Sequence, residues 1–262
     1  FMESGWDVKR LLRLIVTSET YQQSSEHVVR ASARPEGGKK NGLKPELHAD
    51  PENRLLARGP RFRMPAWMLR DQALALSGLL NPKLGGPGVK PYQPEGIWEE
   101  ATFGKKTYQQ DHGEALYRRT LYVFWRRIVG PTLLFDNSTR QVCAVKTSRT
   151  NTPLHALVTL NDTTFVEAAR VLSQNVLHTP GDDETRLKQA FRIVTHREPK
   201  ADELAVLQRQ LAALRPRAAN GAAKLLKVGE AQTDPALKPA EHAAWTSLCL
   251  MLLNLDEVVS KE

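Results

Sequence analysis

With 262 residues, 41% of them apolar and 25% charged, the chain has the composition of a folded protein with a core of its own, and global disorder is excluded. No run approaches the roughly 18 consecutive apolar residues of a membrane helix, so no membrane span is expected. The excess of 37 Lys and Arg over 29 Asp and Glu, a net charge of +8, suits an anionic partner but equally suits scattered solubilising side chains; charge alone selects no partner.

The first residues, beginning at Phe1, lack the basic-then-apolar layout of a signal peptide, and the chain reads as a piece of a longer polypeptide. Trp6 to Gln22 predicts an amphipathic helix: Asp7 is the cap, and Val8, Leu11, Leu12, Ile15 and Val16 recur at helical spacing, with Arg10 and Arg13 opposite. Residues 26–49 are polar and rich in Gly and Lys, which predicts a flexible insertion. Pro65 suits the first position of a helix whose apolar stripe is Leu69, Ala73, Leu76 and Leu80. The Gly85-Gly86-Pro87-Gly88 cluster ends it. No strand precedes that cluster and no Lys-Ser/Thr follows it, which argues against a phosphate loop. Trp98, in an extended Pro-rich passage, is expected to pin its loop to the core.

Leu116 to Ile128 is ambiguous between strand and helix. The helical reading places Leu121, Phe124, Trp125 and Ile128 on one face and sets Arg118 and Arg119 two turns before Arg126 and Arg127, a basic strip beside an aromatic one. Gly130-Pro131 stops that element, and the following LLFDNSTRQVCAVK is irregular or short strand. Thr152 and Pro153 predict a short helix start, Asn161-Asp162 a turn, and Thr164 with Glu167 a capping box for the next helix. Glu184–Thr195 and Ala201–Leu214 predict a helix pair separated by His196-Arg197-Glu198-Pro199. A polar, flexible insertion over 215–239 precedes a closing helix, AEHAAWTSLCLMLLNLDEVV, apolar on most sides. The expected fold is mainly α: an irregular helical single domain over 1–262 with long loops and at most short strands.

Cys143 and Cys249 stand in no Cys-x-x-Cys or Cys-x-x-Cys-His pattern, which excludes a zinc knuckle and covalently attached haem within this chain; two buried free thiols are expected. The densest polar segment runs from Tyr117 to Asp162. Its candidate ligand-binding residues are Arg118, Arg119, Asp136, Arg149, Asn151, His155, Asn161 and Asp162: guanidinium groups grip carboxylate or sulfate, and Asn and Asp suit sugar hydroxyls. The competing reading is that these side chains satisfy the backbone of irregular loops. Asp136 and Asp162 could act as an acid and base pair only if about 5–9 Å apart. His155 has Thr159, not a ligand, on the following turn, so no metal site is assigned; the chain has no Gly-x-Ser-x-Gly, and catalytic residues stay unassigned.

Taken in order, DPENRLLARGPRFRM, SGLL followed by GGPGVKPYQPEGIWEE, LYRRTLYVFWRR, FD with RQVC, RTNTPLHALVTLND with FVEAAR, AFRIVTHREP and AAWTSLCLMLLNLDE resemble the planctomycete-type domain of unknown function 1553 over nearly the whole chain. The resemblance implies the C-terminal part of a large exported or periplasmic protein, behind a cytochrome-c-like module. The c-type haem would then belong to that neighbouring domain, with no cofactor in this chain. It further implies an association with the breakdown of complex polysaccharide. His155 stands where that pattern continues with Gln, Pro65-Ala66-Trp67 replaces a more polar helix start, and Lys200 replaces a hydroxyl cap.

The expected function is a non-catalytic docking or ligand-binding module, its partners being neighbouring domains of the same polypeptide and an anionic polysaccharide. The alternative is an enzyme acting on polysaccharide, alone or redox-coupled to a neighbouring haem. Nucleic-acid binding would need one continuous basic face and is not expected.

Overall fold

A computed structural model describes residues 1–23, 53–56, 58–126, 129–131, 133–137, 143–145, 147 and 149–261; the predicted insertion at 26–49 lies outside them. The chain groups into two compact units, Phe1–Phe62 with Ser260–Glu262, and Arg63–Val259.

In the first unit the predicted helix over Trp6–Gln22 is two helices, α1 (Val8–Val16) and α2 (Glu19–Gln22). Asp7 caps α1 by accepting from the Arg10 N–H at 3.0 Å, as its position predicts. The break falls at Ser18. Its hydroxyl donates to the Ile15 carbonyl at 2.7 Å and accepts from the Tyr21 N–H, so it ends one helix and caps the next. Strands β1 (Phe62–Arg63) and β2 (Ser260–Lys261) form a two-stranded sheet.

The second unit is helical: α3 (Ala66–Ser77), α4 (Ile97–Ala101), α5 (Pro153–Asn161), α6 (Thr163–Leu177), α7 (Asp183–Thr195), α8 (Ala201–Ala218), α9 (Ala222–Leu225), α10 (Pro239–Leu252) and α11 (Asp256–Val259). The protein is therefore mainly α with short strands. α6 lies at the centre, with α3 and α10 packed on it and α8 against α10. The reason is in its sequence: Phe165, Ala168, Ala169, Leu172 and Val176 are all buried, and the paired alanines let neighbouring backbones approach. α10 answers with Ala243, Ala244, Trp245, Leu248, Cys249 and Leu252. Trp245 is fully buried, and its indole N–H donates to Glu241 at 2.8 Å. Arg215 forks onto the same carboxylate.

α3 stops at Ser77 because Gly78 adopts φ +79°, and the Leu79 and Leu80 N–H groups both donate back to the Leu74 carbonyl. Leu80 is thus outside the helix it was expected to extend. α8 runs four residues beyond the expected end at Leu214, carrying Pro216 in its last turn. Trp98 pins its loop as expected, 6% exposed, with its N–H on Gln93 and its ring near Tyr108 and Phe124.

Among the described residues of Leu116–Ile128, which end at Arg126, the expected helix is not formed. Gly113–Tyr117 and Thr120–Tyr122 are single 3₁₀ turns, and Arg118 between them and Val123 after them are extended. The backbone here bonds to distant partners: Asn81 N–H to Tyr117 carbonyl, Val89 N–H to Tyr122 carbonyl and Phe124 N–H to Val89 carbonyl, at 2.9, 2.8 and 2.7 Å. Two parallel bridges result, Asn81 with Arg118 and Val89 with Val123. The extended tendency is realised at Arg118 and Val123, on either side of the Thr120–Tyr122 turn, and no regular helix joins Arg118 and Arg119 to Arg126; Arg127 lies outside the described residues. The capping box expected of Thr164 and Glu167 is also replaced: Asp162 caps α6, accepting from the Thr164 N–H at 2.9 Å, while Glu167 is buried in the core. Both cysteines are free, but only Cys249 is buried; Cys143 is exposed.

Candidate functional site

Two adjacent residues of α3 organise the segment after Leu116. The Arg70 side chain, fully buried, donates to the carbonyls of Arg118 (2.8 Å) and Leu116 (2.6 Å) and to the Thr120 hydroxyl. Burial pushes its guanidinium down to about 10, against the opposing pull of Asp71. Asp71 accepts on Oδ1 from both the N–H and the hydroxyl of Thr120, at 2.7 and 2.6 Å. The turn Thr120–Tyr122 is thereby fixed to the helix.

Arg118 and Arg119 then part company. Arg118 turns inward, 6% exposed, and donates to the carbonyls of Pro87 (2.8 Å), Lys83 (3.3 Å) and Gly85, with its guanidinium over the Tyr122 ring. It holds the glycine-rich loop. Arg119 turns outward, and its guanidinium has no hydrogen-bond or ion-pair partner among the described residues.

The other candidates gather around α5. Asp136, at φ +56°, accepts from the N–H and hydroxyl of Thr150 and lies 3.6 Å from His155 Nε2. His155 is buried and stacks on Phe135 at 4.0 Å, its Nδ1 without a partner among the described residues. This cluster ties the 135–136 turn to α5; the void beside it is only about 10 Å³. Arg149 donates to the Arg63 carbonyl, Asn161 to the Leu157 carbonyl one turn back, and Asn151 is exposed at the start of α5. Asp162 is the α6 cap. Burial raises its carboxyl above the ordinary range, offset by the Thr164 bonds and Arg70. Asp136 and Asp162 are thus each bonded to a threonine, and neither lines the cleft described next.

That cleft, of about 330 Å³, is bordered by Trp67, Asp71, Arg119, Thr120, Leu121, Val123, Trp125, Leu134 and Asn137. Trp67 is 46% exposed and Leu121 79%, while Val123 and Trp125, partly buried against the core, border the cleft from its inner side. Three polar groups stand among them without partners among the described residues: the Arg119 guanidinium, the Asn137 side chain and the second oxygen, Oδ2, of Asp71. Of the eight candidate ligand-binding residues named from sequence, only Arg119 reaches this cleft. Trp67 and Asp71 were legible as an i, i+4 pair in the first turns of α3, an indole one turn before a carboxylate. Trp125 stood in the aromatic face expected of a helix that does not form, and Asn137 carried no local signal.

Among the described residues no group of three His, Cys, Asp or Glu is placed to hold a metal ion, and no helix is long and apolar enough to cross a membrane. The family model described as "PSD1: Protein of unknown function (DUF1553)" matches residues 1–211. No curated protein and no solved structure matches the chain.

Proposed function

The chain belongs to the PSD1 family of proteins of unknown function (DUF1553), and since that membership names no reaction, we propose from the geometry that it is a non-catalytic ligand-binding module whose contact face is the Trp67–Arg119 cleft. The observation that carries this reading is the meeting of two indoles with three polar groups that have no partner among the described residues, in one open cavity. A pyranose ring fits such a mixture: its C–H face lies on an aromatic plane, and its hydroxyls both donate to a carboxylate and accept from amide and guanidinium. The ligand class is therefore a saccharide. In the wider setting implied by the sequence resemblance, the module serves an exported polypeptide with a c-type haem domain beside it and brings that assembly to polysaccharide.

The rival reading is an enzyme acting on polysaccharide, alone or redox-coupled to that haem. Hydrolysis of a glycosidic bond needs two carboxyl groups about 5–9 Å apart. The described lining contributes Asp71, with one oxygen held by Thr120, which supports binding over hydrolysis. Titration of soluble oligosaccharides, followed by tryptophan fluorescence and calorimetry, tests the proposal. Trp67→Ala and Arg119→Ala should each weaken binding about tenfold while leaving the Tm unchanged. Release of new reducing ends would favour the enzyme, and unaltered binding by Trp67→Ala would remove the cleft from consideration.

A further inference from the structure

Resting on the saccharide reading of the cleft, we infer that the unit it selects is an acidic sugar, a hexuronate, with Arg119 taking the carboxylate and Asp71 taking hydroxyl protons. The two side chains pose complementary demands. The Arg119 guanidinium is a donor only and is bonded to nothing among the described residues, so it calls for an anionic acceptor. Asp71 is fixed: Thr120 holds Oδ1 through two hydrogen bonds, and Arg70 stands 3.7 Å behind the same oxygen. Oδ2 accepts no bond from the described residues and calls for a donor.

A neutral sugar answers Asp71 but leaves the guanidinium facing hydroxyls alone. A sulfate ester also answers Arg119, but it presents a tetrahedral group in place of the planar pair of oxygens that matches the guanidinium fork. A hexuronate carries both groups on one ring: a planar carboxylate that matches the guanidinium fork and neighbouring hydroxyls that donate. Its C–H face remains for Trp67 or Trp125. The buried Arg70 offsets the Asp71 charge, so the carboxylate of the ligand meets a cleft whose remaining charge is that of Arg119.

The test is calorimetric titration of the 262-residue chain with oligomers of galacturonate, glucuronate and mannuronate, each against its methyl ester and against a sulfated oligosaccharide of equal length. The free acid of one series should bind roughly tenfold tighter than its ester, the difference fading at high salt. Arg119→Gln, a change at an exposed side chain, should weaken acid binding more than ester binding and so abolish that ratio. Asp71→Asn keeps an oxygen for the Thr120 N–H and should weaken acid and ester alike. If ester and acid bind equally, if the sulfated chain binds more tightly than the acid, or if Arg119→Gln leaves the ratio untouched, the hexuronate assignment is wrong although the cleft still binds sugar. If no oligosaccharide of the panel binds, the saccharide reading falls and the assignment with it.

Discussion

Gly229 lies so close over Glu167 that a Cβ on it would overlap the Glu167 carboxylate. Glu167 is fully buried in the middle of α6, and the loop bearing Gly229 is bonded to it: Oε1 accepts from the Ala231 N–H at 2.6 Å and from the Tyr117 hydroxyl at 2.9 Å. Arg170, one turn further on, donates to the Val228 and Ala231 carbonyls. One acid and one base of the central helix therefore fasten a loop some sixty residues away in sequence. Gly229 also has φ +82°, a conformation that costs any L side chain energy. Gly229→Ala should lower stability by about 2–4 kcal/mol, the sum of overpacking and backbone strain. Thermal unfolding measures it, and a loss within experimental error would show that the loop yields freely.

The two neighbouring arginines should behave oppositely. Arg118 is buried on backbone carbonyls of the 83–87 loop, and removing it strands those acceptors, at about 3 kcal/mol or more. Arg118→Lys should recover little of this, because an ammonium cannot reproduce a planar fork that reaches several carbonyls while stacked on Tyr122. Arg119→Ala should leave the melting temperature within about 1 °C of wild type, as expected for an exposed side chain without partners among the described residues. Parallel melting curves of the three variants decide it; equal losses at 118 and 119 would contradict the division.

His242 makes stability depend on pH in the weakly acidic range. It is 1% exposed on α10, and its Nε2 stands 3.1 Å from the Arg170 carbonyl, which can only accept, so Nε2 carries the hydrogen. Burial lowers its affinity for a second proton, and the nearby Arg170 charge acts in the same direction, with the Arg170 hydrogen bond and Asp234 opposing. The unfolded chain then binds that proton first. Stability is full above the ordinary imidazole value of about 6.5 and falls as pH drops below it, by at most about 1.4 kcal/mol per pH unit, until the folded form also protonates. Glu230 and Glu241, both held below the ordinary carboxylate range by their partners, lose their contributions only in more acidic solution. Urea titrations between pH 5 and 8 should show a slope in wild type that is reduced in His242→Gln. Parallel profiles would rule out this histidine as the source.

The sequence was legible where local chemistry decides the structure. Pro65, Gly78, the His196–Pro199 turn and the apolar periods between them delimit α3, α7 and α8, because caps, breakers and helical stripes act within a few residues. It was opaque where distant partners decide. Residues 116–125 satisfy both a helical and an extended pattern, and what settles them is Arg70, nearly fifty positions earlier, with backbone pairing to Asn81 and Val89. The same holds for the site. Nothing local announces that Arg118 will find carbonyls in a glycine-rich loop while its neighbour faces solvent, or that Asn137 will approach Trp67. The His155–Phe135–Asp136 cluster likewise depends on a left-handed backbone at Asp136 that an Asp tolerates but does not declare.

The two thiols should be distinguishable by reactivity. Thiolate, not thiol, attacks disulfide reagents and alkylating agents, so reaction needs both ionisation and access. Cys249 has neither: it is fully buried in α10 against the core, and burial pushes its thiol up to about 12. Cys143 is exposed, and neither residue is disulfide-bonded. Under native conditions an aromatic disulfide reagent should release one equivalent of chromophore per chain, assigned to Cys143 by peptide mapping, and the second only at the rate of unfolding. Gly229→Ala, which loosens the loop packed on α6 beneath α10, should speed that second phase in proportion to its loss of stability when opening is fast relative to labelling. Two equivalents released at once from the native wild type would mean that α10 is not the closed, buried helix described above.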